Sequence, residues 1–137
     1  MEIIPFVVGI VEKNGKILVV EYVKDHKDFG GLVLPPIINY PFGDEGNEPR
    51  KLADELFEQL GVKFDFSRSK RGQIFIFSLP SKNIIYQFLP LKGDLIYNGP
   101  ARLSSNYDKI HWLEPLCCLQ THFSSLFSNC FDQFGIK

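Results

Sequence analysis

Three side chains that carry oxygen ligands recur at helical spacing in the middle of the chain: Glu55, Glu58 and Gln59. In a helix, positions i, i+3 and i+4 bring such side chains to one patch of the surface. Neighbouring carboxylates repel each other unless water or a cation screens them, and a hard divalent cation takes oxygen ligands of this kind. On this helix alone, an ordinary solvated face on which Lys51 pairs with Glu55 is the more common explanation of the spacing, and a cation site is the alternative that gains support from the rest of the chain.

The segment that must position these side chains is residues 45–62, which we interpret as one helix. Pro49 suits the first turn, Asn47 or Glu48 can supply the cap, and Gly61 ends the helix. At about 100° per residue, the pattern separates two arcs. The apolar arc, which must pack on a sheet, contains Leu52, Ala53, Leu56, Phe57 and Leu60, and the polar arc contains Glu48, Lys51, Asp54, Glu55, Glu58 and Gln59.

Length and composition predict one domain over residues 1–137 with a compact aromatic core, since the chain has 13 Phe and 45% hydrophobic residues. The net charge of −1 gives no global field toward nucleic acid or anionic membrane, so we expect neither as a partner. No basic leader is present, and no apolar run reaches the roughly 20 residues of a membrane span, which predicts a cytoplasmic protein.

Periodicity and turn signals place the other elements. Asn14-Gly15 favours a tight type I′ turn between two strands. The stretches 37–46 and 93–108 read as loops, and the second is long for a compact domain. Strands are predicted at 3–11, 16–22, 32–34, 73–78, 83–89 and 109–113, with a closing helix over 123–134. This order predicts an α/β sandwich, a mixed sheet with helices on both faces.

At this point the chain resembles the Nudix hydrolases. Their signature is Gly, five residues, Glu, seven residues, then Arg-Glu-U-x-Glu-Glu-x-Gly-U, where U is aliphatic. The second part aligns with residues 54–62, and residues 31–35 and 102–113 resemble the flanking segments. Asp54 stands at the family arginine, Gln59 at one of the paired glutamates, and Gly46 at the upstream glutamate, so the motif is degenerate.

The resemblance implies that Glu55 and Glu58 are catalytic and hold Mg²⁺ or Mn²⁺ on a diphosphate, while an activated water attacks phosphorus. Gln59 would be a neutral ligand at best, and the loss of one carboxylate should weaken metal binding by roughly tenfold or more. Glu45 or Asp108 could compensate for that loss.

Other residues are candidates for substrate binding. Phe29, Tyr40 and Tyr107 could stack on a base or ring beside the metal patch. Arg71, in a basic loop, could hold phosphate, and Asp108 lies where a further acid would fit. The alternatives are core packing or loop anchoring for the aromatic residues, a solvated charge for Arg71 and a turn for Asp108.

The sequence thus predicts a Nudix-type hydrolase that cleaves the diphosphate of a nucleoside diphosphate linked to another group, with weak or atypical activity. Its partner would be a nucleotide-like small molecule, and a homodimer is compatible with the sequence. The alternatives are a catalytically inactive Nudix-fold module that binds a nucleotide-like ligand or a protein, and a scaffold whose cleft is filled.

Overall fold

The computed structural model describes residues 2–41, 47–66, 71–97, 103–114 and 131–136. The chain opens with a β-hairpin of strands β1 (Glu2–Lys13) and β2 (Lys16–Tyr22). Asn14 and Gly15 connect them with φ values of 53° and 76°. Two positive φ values are what a type I′ turn requires, and Asn and Gly tolerate them at low cost, so the predicted hairpin is confirmed.

An eight-stranded mixed sheet organises the described chain. Its central pair is β1 with β7 (Ile84–Tyr97), which run parallel with Val8 opposite Pro90 and Gly9 opposite Leu91. The remaining strands pair antiparallel to these or to β2. They are β3 (Val33–Leu34), β4 (Ile37–Asn39), β5 (Lys63–Asp65), β6 (Phe75–Leu79) and β8 (Tyr107–Leu113).

Helix α1 (Glu48–Leu60) begins after Asn47 and ends at Gly61, whose φ is 71°. Gly61 donates its N–H to the carbonyl of Phe57, which closes the last turn as the left-handed cap of a glycine does. Pro49 lies in the first turn. The sequence therefore located both ends of this helix.

The two faces of the sheet are covered by different segments. A Cβ atom at Gly9 would lie 3.4 Å from side-chain atoms of Leu52 and of Leu56, so α1 packs closely on this face of β1. Phe134, which follows the helical residues 131–133, lies against Gly72 and Pro90 on the opposite face. The predicted α/β class with a mixed sheet is confirmed, and most of the predicted closing helix lies outside the described residues.

Two residues of α1 lie on the wrong side of the predicted division into arcs. Glu48, placed on the polar arc, is 1% exposed because its carboxylate pairs with Arg71. Phe57, placed on the apolar arc, is 47% exposed. Helical spacing predicts the direction in which a side chain points. The residues that pack against that side chain come from distant segments, which the spacing does not predict.

The loop predictions were wrong in three places. Residues 107–108, the end of the predicted loop 93–108, lie in β8, which pairs with β2. Residues 37–39 form β4, which pairs with β1, since the short run Ile37–Asn39 extends directly from Pro36 along the sheet. Residues 93–97 belong to β7. Gly93 has no side chain, so the Phe66 ring can pack on the strand there, 2.2 Å from the position that a Cβ atom of residue 93 would occupy.

Among the residues that the structure describes, no helix combines the length and the apolar character needed to cross a membrane.

Candidate functional site

Glu55 is the half-buried carboxylate at the centre of α1, and both its oxygens have partners. Oε1 lies 3.1 Å from Nζ of Lys51, one turn earlier. Oε2 accepts a hydrogen bond from Nε2 of Gln59 at 3.3 Å. The Lys51 ammonium is exposed to solvent, and it is Glu55 that raises the pKa of Lys51. An exposed ion pair of this kind forms and breaks easily. Lys51 therefore partly neutralises Glu55 without blocking access to its carboxylate.

Gln59 connects Glu55 to strand β8. Its amide oxygen Oε1 accepts a short hydrogen bond from the hydroxyl of Tyr107. Tyr107 in turn hydrogen-bonds Tyr22, whose hydroxyl also accepts the N–H of Ile37 at 3.2 Å. The Gln59 amide is therefore used on both sides, with its oxygen toward Tyr107 and its nitrogen toward Glu55.

Burial is the main cause of the raised pKa values of both tyrosines in this network. It raises the pKa of Tyr107 to about 12, and the nearby Glu55 carboxylate adds to the effect. Burial likewise raises the pKa of Tyr22 well above its ordinary value of 10. Both phenols are therefore neutral at physiological pH and act there as hydrogen-bonding groups.

Beside Glu55 lies a cavity of about 270 Å³. Its walls combine aromatic rings, two short aliphatic side chains, side-chain amides and two carboxylates. The lining residues are Phe6, Tyr22, His26, Asp28, Phe29, Ile37, Ile38, Asn39, Glu55, Gln59, Asn106 and Tyr107. Predicted site residues from α1, β8 and the loop after β2 thus meet at one cavity.

His26 and Asp28 also line this cavity, although no sequence pattern selects them. They belong to the loop after β2, which reads as an ordinary charged loop, and a charged loop has no pattern that points to a site. The His26 ring stacks on Phe29 with a centroid distance of 5.6 Å and meets the edge of Tyr22 at 4.8 Å. Asp28 accepts a hydrogen bond from Tyr86.

Glu58 lies on a different side of α1 from this cavity. It lines a larger groove of about 810 Å³ with Phe57, Leu103 and Ser104 among the other walls. The Ser104 N–H donates to the carbonyl of Gln59, which attaches this segment to the end of the helix. The structure therefore brings Glu55 and Gln59 together and places Glu58 beside the neighbouring groove.

Arg71 forms an ion pair with Glu48 at the start of α1. Its Nη2 lies 2.9 Å from Oε1 of Glu48, and the Arg71 side chain remains about half exposed. Oε2 of Glu48 is buried and has no hydrogen-bond partner within the described parts of the chain. Arg71 thus compensates a buried carboxylate at the start of α1.

The other predicted site residues have mixed positions. Phe29 is buried in an aromatic cluster with Phe6 and still borders the cavity. Tyr40 is partly buried after β4, near enough to Lys51 to influence its pKa. Asp108 is exposed on β8. Glu45 lies outside the described residues.

How well a metal ion would fit depends on which side-chain oxygens are available to bind it. Glu55 offers a carboxylate that suits a hard divalent cation, but the Gln59 oxygen is already engaged by Tyr107. Across residues 2–41, 47–66, 71–97, 103–114 and 131–136, no group of three or more His, Cys, Asp or Glu side chains is placed to hold a metal ion. Of the described residues, Glu55 offers the carboxylate that would hold a cation at the helix, with Asp28 as the second carboxylate of the cavity.

Many solved structures have a similar fold, among them three with low sequence identity to this chain. A Nudix hydrolase from Nitrosomonas europaea superimposes with a TM-score of 0.74 at 16% identity, covering 98% of this chain and 89% of that chain. The MutT protein from Methanosarcina mazei Go1 gives a TM-score of 0.71 at 17% identity, covering 99% and 97%.

This chain has the Nudix fold. A C. elegans Ap4A hydrolase shares the Nudix fold with it, with a TM-score of 0.67 at 11% identity, covering 98% of this chain and 96% of that chain. No protein-family model matches the sequence, and no curated protein does. Helix α1 carries the residues that resemble the Nudix motif, and of Glu55 and Glu58 it is Glu55 that lines the cavity.

Proposed function

We propose that this Nudix-fold chain is a slow, divalent-metal-dependent hydrolase that cleaves the diphosphate of a nucleoside diphosphate linked to another group. The observation that supports the proposal most is the position of Glu55. Its carboxylate borders a cavity with aromatic and amide walls, and the partners that hold it are weak. A structural neighbour with the same fold is an Ap4A hydrolase.

Glu55 is the residue to which we assign the central role. A divalent cation can displace Lys51, because an exposed ion pair contributes little free energy, and Gln59 would continue to orient the carboxylate. When bound, Mg²⁺ or Mn²⁺ would neutralise charge on the diphosphate. Glu58 is the second candidate. Because it lines the adjacent groove, it would contact only a part of the substrate that extends over that side of α1.

The reduced donor set predicts slow turnover. Gln59 replaces a carboxylate with a neutral amide whose oxygen is engaged by Tyr107. Each lost charged ligand should weaken metal binding by roughly tenfold or more. We therefore expect activity at millimolar metal concentrations that fades at micromolar ones.

A second candidate is a module that binds a nucleotide-like ligand without cleaving it. The Gln59–Tyr107 hydrogen bond favours this alternative, since it uses an oxygen that a fuller metal centre would need. The cavity and its walls would be retained for recognition alone.

One experiment separates the two. The chain is incubated with a panel of nucleoside diphosphate sugars and dinucleoside polyphosphates, with Mn²⁺ or Mg²⁺ and with chelator, and products are quantified by chromatography. A hydrolase releases product that requires metal and that falls about 100-fold or more in Glu55→Gln. Glu12→Gln, on an exposed part of β1, is the matched control. Thermal stabilisation by ligand without any product supports the binding module instead.

A further inference from the structure

The His26 ring is held in one orientation by its own loop. Its Nδ1 accepts hydrogen bonds from the backbone N–H groups of Asp28 at 3.2 Å and Phe29 at 3.1 Å. Stacking on Phe29 and the edge contact with Tyr22 fix the plane of the ring. His26 thus closes its loop as Asp, Asn and Ser side chains close tight turns, by accepting N–H groups two and three residues ahead.

These contacts determine the tautomer. A nitrogen that accepts two N–H groups carries no proton, so the proton of the neutral imidazole is on Nε2. Burial lowers the pKa of His26 below 6.5, against the opposing effect of Asp28 and Asp25. Near neutral pH the ring therefore offers one polar atom that its own loop does not use, the Nε2–H donor.

The cavity that His26 lines is poorly suited to a bare anion. Among the residues described at its walls there is no Lys or Arg, whereas Asp28 and Glu55 both contribute carboxylates. An anionic group would be repelled there unless a cation accompanied it. The remaining walls include aromatic rings, two isoleucines and the amides of Asn39 and Asn106, which suit a planar, uncharged ring with polar edges.

The size of the cavity limits the occupant further. Its volume of about 270 Å³ lies below the roughly 300–1,000 Å³ of pockets that enclose whole drug-sized ligands. One ring system of a larger molecule is therefore a better match than the entire substrate. The rest of that molecule would extend past Glu55 toward the surface of α1.

We propose that His26 donates its Nε2–H to an acceptor atom on an uncharged heterocycle, the base of a nucleoside, which enters this cavity. The inference rests on the proposed function for the identity of the larger ligand. His26 is then a specificity-determining residue, because its Nε2–H favours a base with a ring nitrogen or a carbonyl oxygen at the edge that faces this donor.

The test uses uncharged nucleosides and no metal, so that it does not depend on hydrolysis. Adenosine, guanosine, cytidine and uridine are titrated into the full chain, and binding is followed by NMR. Two variants separate the two ring nitrogens. His26→Asn keeps an acceptor for the loop N–H groups and loses the distal donor, whereas His26→Gln keeps a distal N–H and loses the loop acceptor.

We expect at least one nucleoside to bind the wild-type chain and to bind His26→Asn about 5- to 10-fold more weakly, with the melting temperature of that variant little changed. His26→Gln should retain more of the affinity and lose more stability. Imidazole ¹⁵N spectra of the wild type near pH 7.5 should show an Nε2–H tautomer. Equal affinity in His26→Asn, or no nucleoside bound at millimolar concentration, would overturn the inference. Metal-dependent hydrolysis in that case would still support the proposed function.

Discussion

The hydroxyl of Tyr107 donates a hydrogen bond to Oε1 of Gln59, and this contact joins β8 to the last turn of α1. It turns the Gln59 nitrogen toward Glu55. The Gln59 amide, which the resemblance to the Nudix motif would make a neutral metal ligand, is therefore held by hydrogen bonds on both sides.

Gln59→Glu should strengthen metal binding. The substitution places a second carboxylate beside Glu55, and Tyr107 can still donate to one of its oxygens. We expect the affinity for Mn²⁺ to rise by about tenfold, measured by calorimetric titration. Gln73→Glu, at an exposed position outside α1 and outside the cavity beside Glu55, is the control for added charge. Identical Mn²⁺ affinities in both variants would show that residue 59 does not face a cation.

Lys51→Met should also raise the affinity for Mn²⁺, for a different reason. The ammonium of Lys51 competes with a cation for Oε1 of Glu55, and its removal frees that oxygen. Because the Lys51 side chain is exposed, the melting temperature should hardly change. Lys82→Met, on an exposed turn, controls for the loss of one positive charge. A weaker Mn²⁺ affinity in Lys51→Met would contradict this view of the pair.

Removal of Arg71 should destabilise the fold. Arg71→Ala leaves the carboxylate of Glu48 buried without a partner, at a cost of about 2 kcal/mol. This value is below the usual range for fully buried pairs because Arg71 is about half exposed. Arg71→Lys, which keeps the charge, should cost less than half as much. Urea unfolding measures both, with Arg50→Ala on the exposed start of α1 as control. Equal midpoints for Arg71→Ala and Arg50→Ala would refute the structural role.

The buried tyrosines predict loss of stability in alkaline solution. The folded-state pKa of Tyr107 is about 12, while an unfolded tyrosine has a pKa near 10. Between these pH values the unfolded chain releases a proton that the folded chain retains, so stability is complete below about pH 10 and falls as the pH rises toward 12. The slope is about 1.4 kcal/mol per pH unit for each such tyrosine.

Urea midpoints at pH 9, 10 and 11 test this slope. Tyr107→Phe removes one of the titrating groups, so its stability should decline less steeply than that of the wild type. If the urea midpoints of the two proteins fall equally with pH, the pKa of Tyr107 is the same in the folded and the unfolded chain, and the prediction is wrong.

The sequence located α1 and the first hairpin because their signals are local. Pro49, Gly61 and the Asn14-Gly15 turn each fix backbone geometry within a few residues. It also selected Glu55, from its helical spacing and then from a family resemblance, and Tyr107, as an aromatic ring that could stack on a ligand, and the structure brings both to one cavity.

What the sequence could not supply depends on distant partners. Glu48 is buried because Arg71, 23 positions away, reaches it. His26 borders the cavity because its loop folds back over Tyr22 and Phe29. The short strand β4 forms because β1 offers a free edge. None of these relationships has a periodicity that could be read along the chain.

The most direct test of the central claim is the Mn²⁺-dependent cleavage of nucleoside diphosphate compounds by the wild-type chain and Glu55→Gln at equal concentration. We predict slow product release by the wild type, abolished by chelator and reduced about 100-fold or more in the variant. Product release that is unchanged by Glu55→Gln, or ligand binding by the wild type with no product at any metal concentration, would contradict the account.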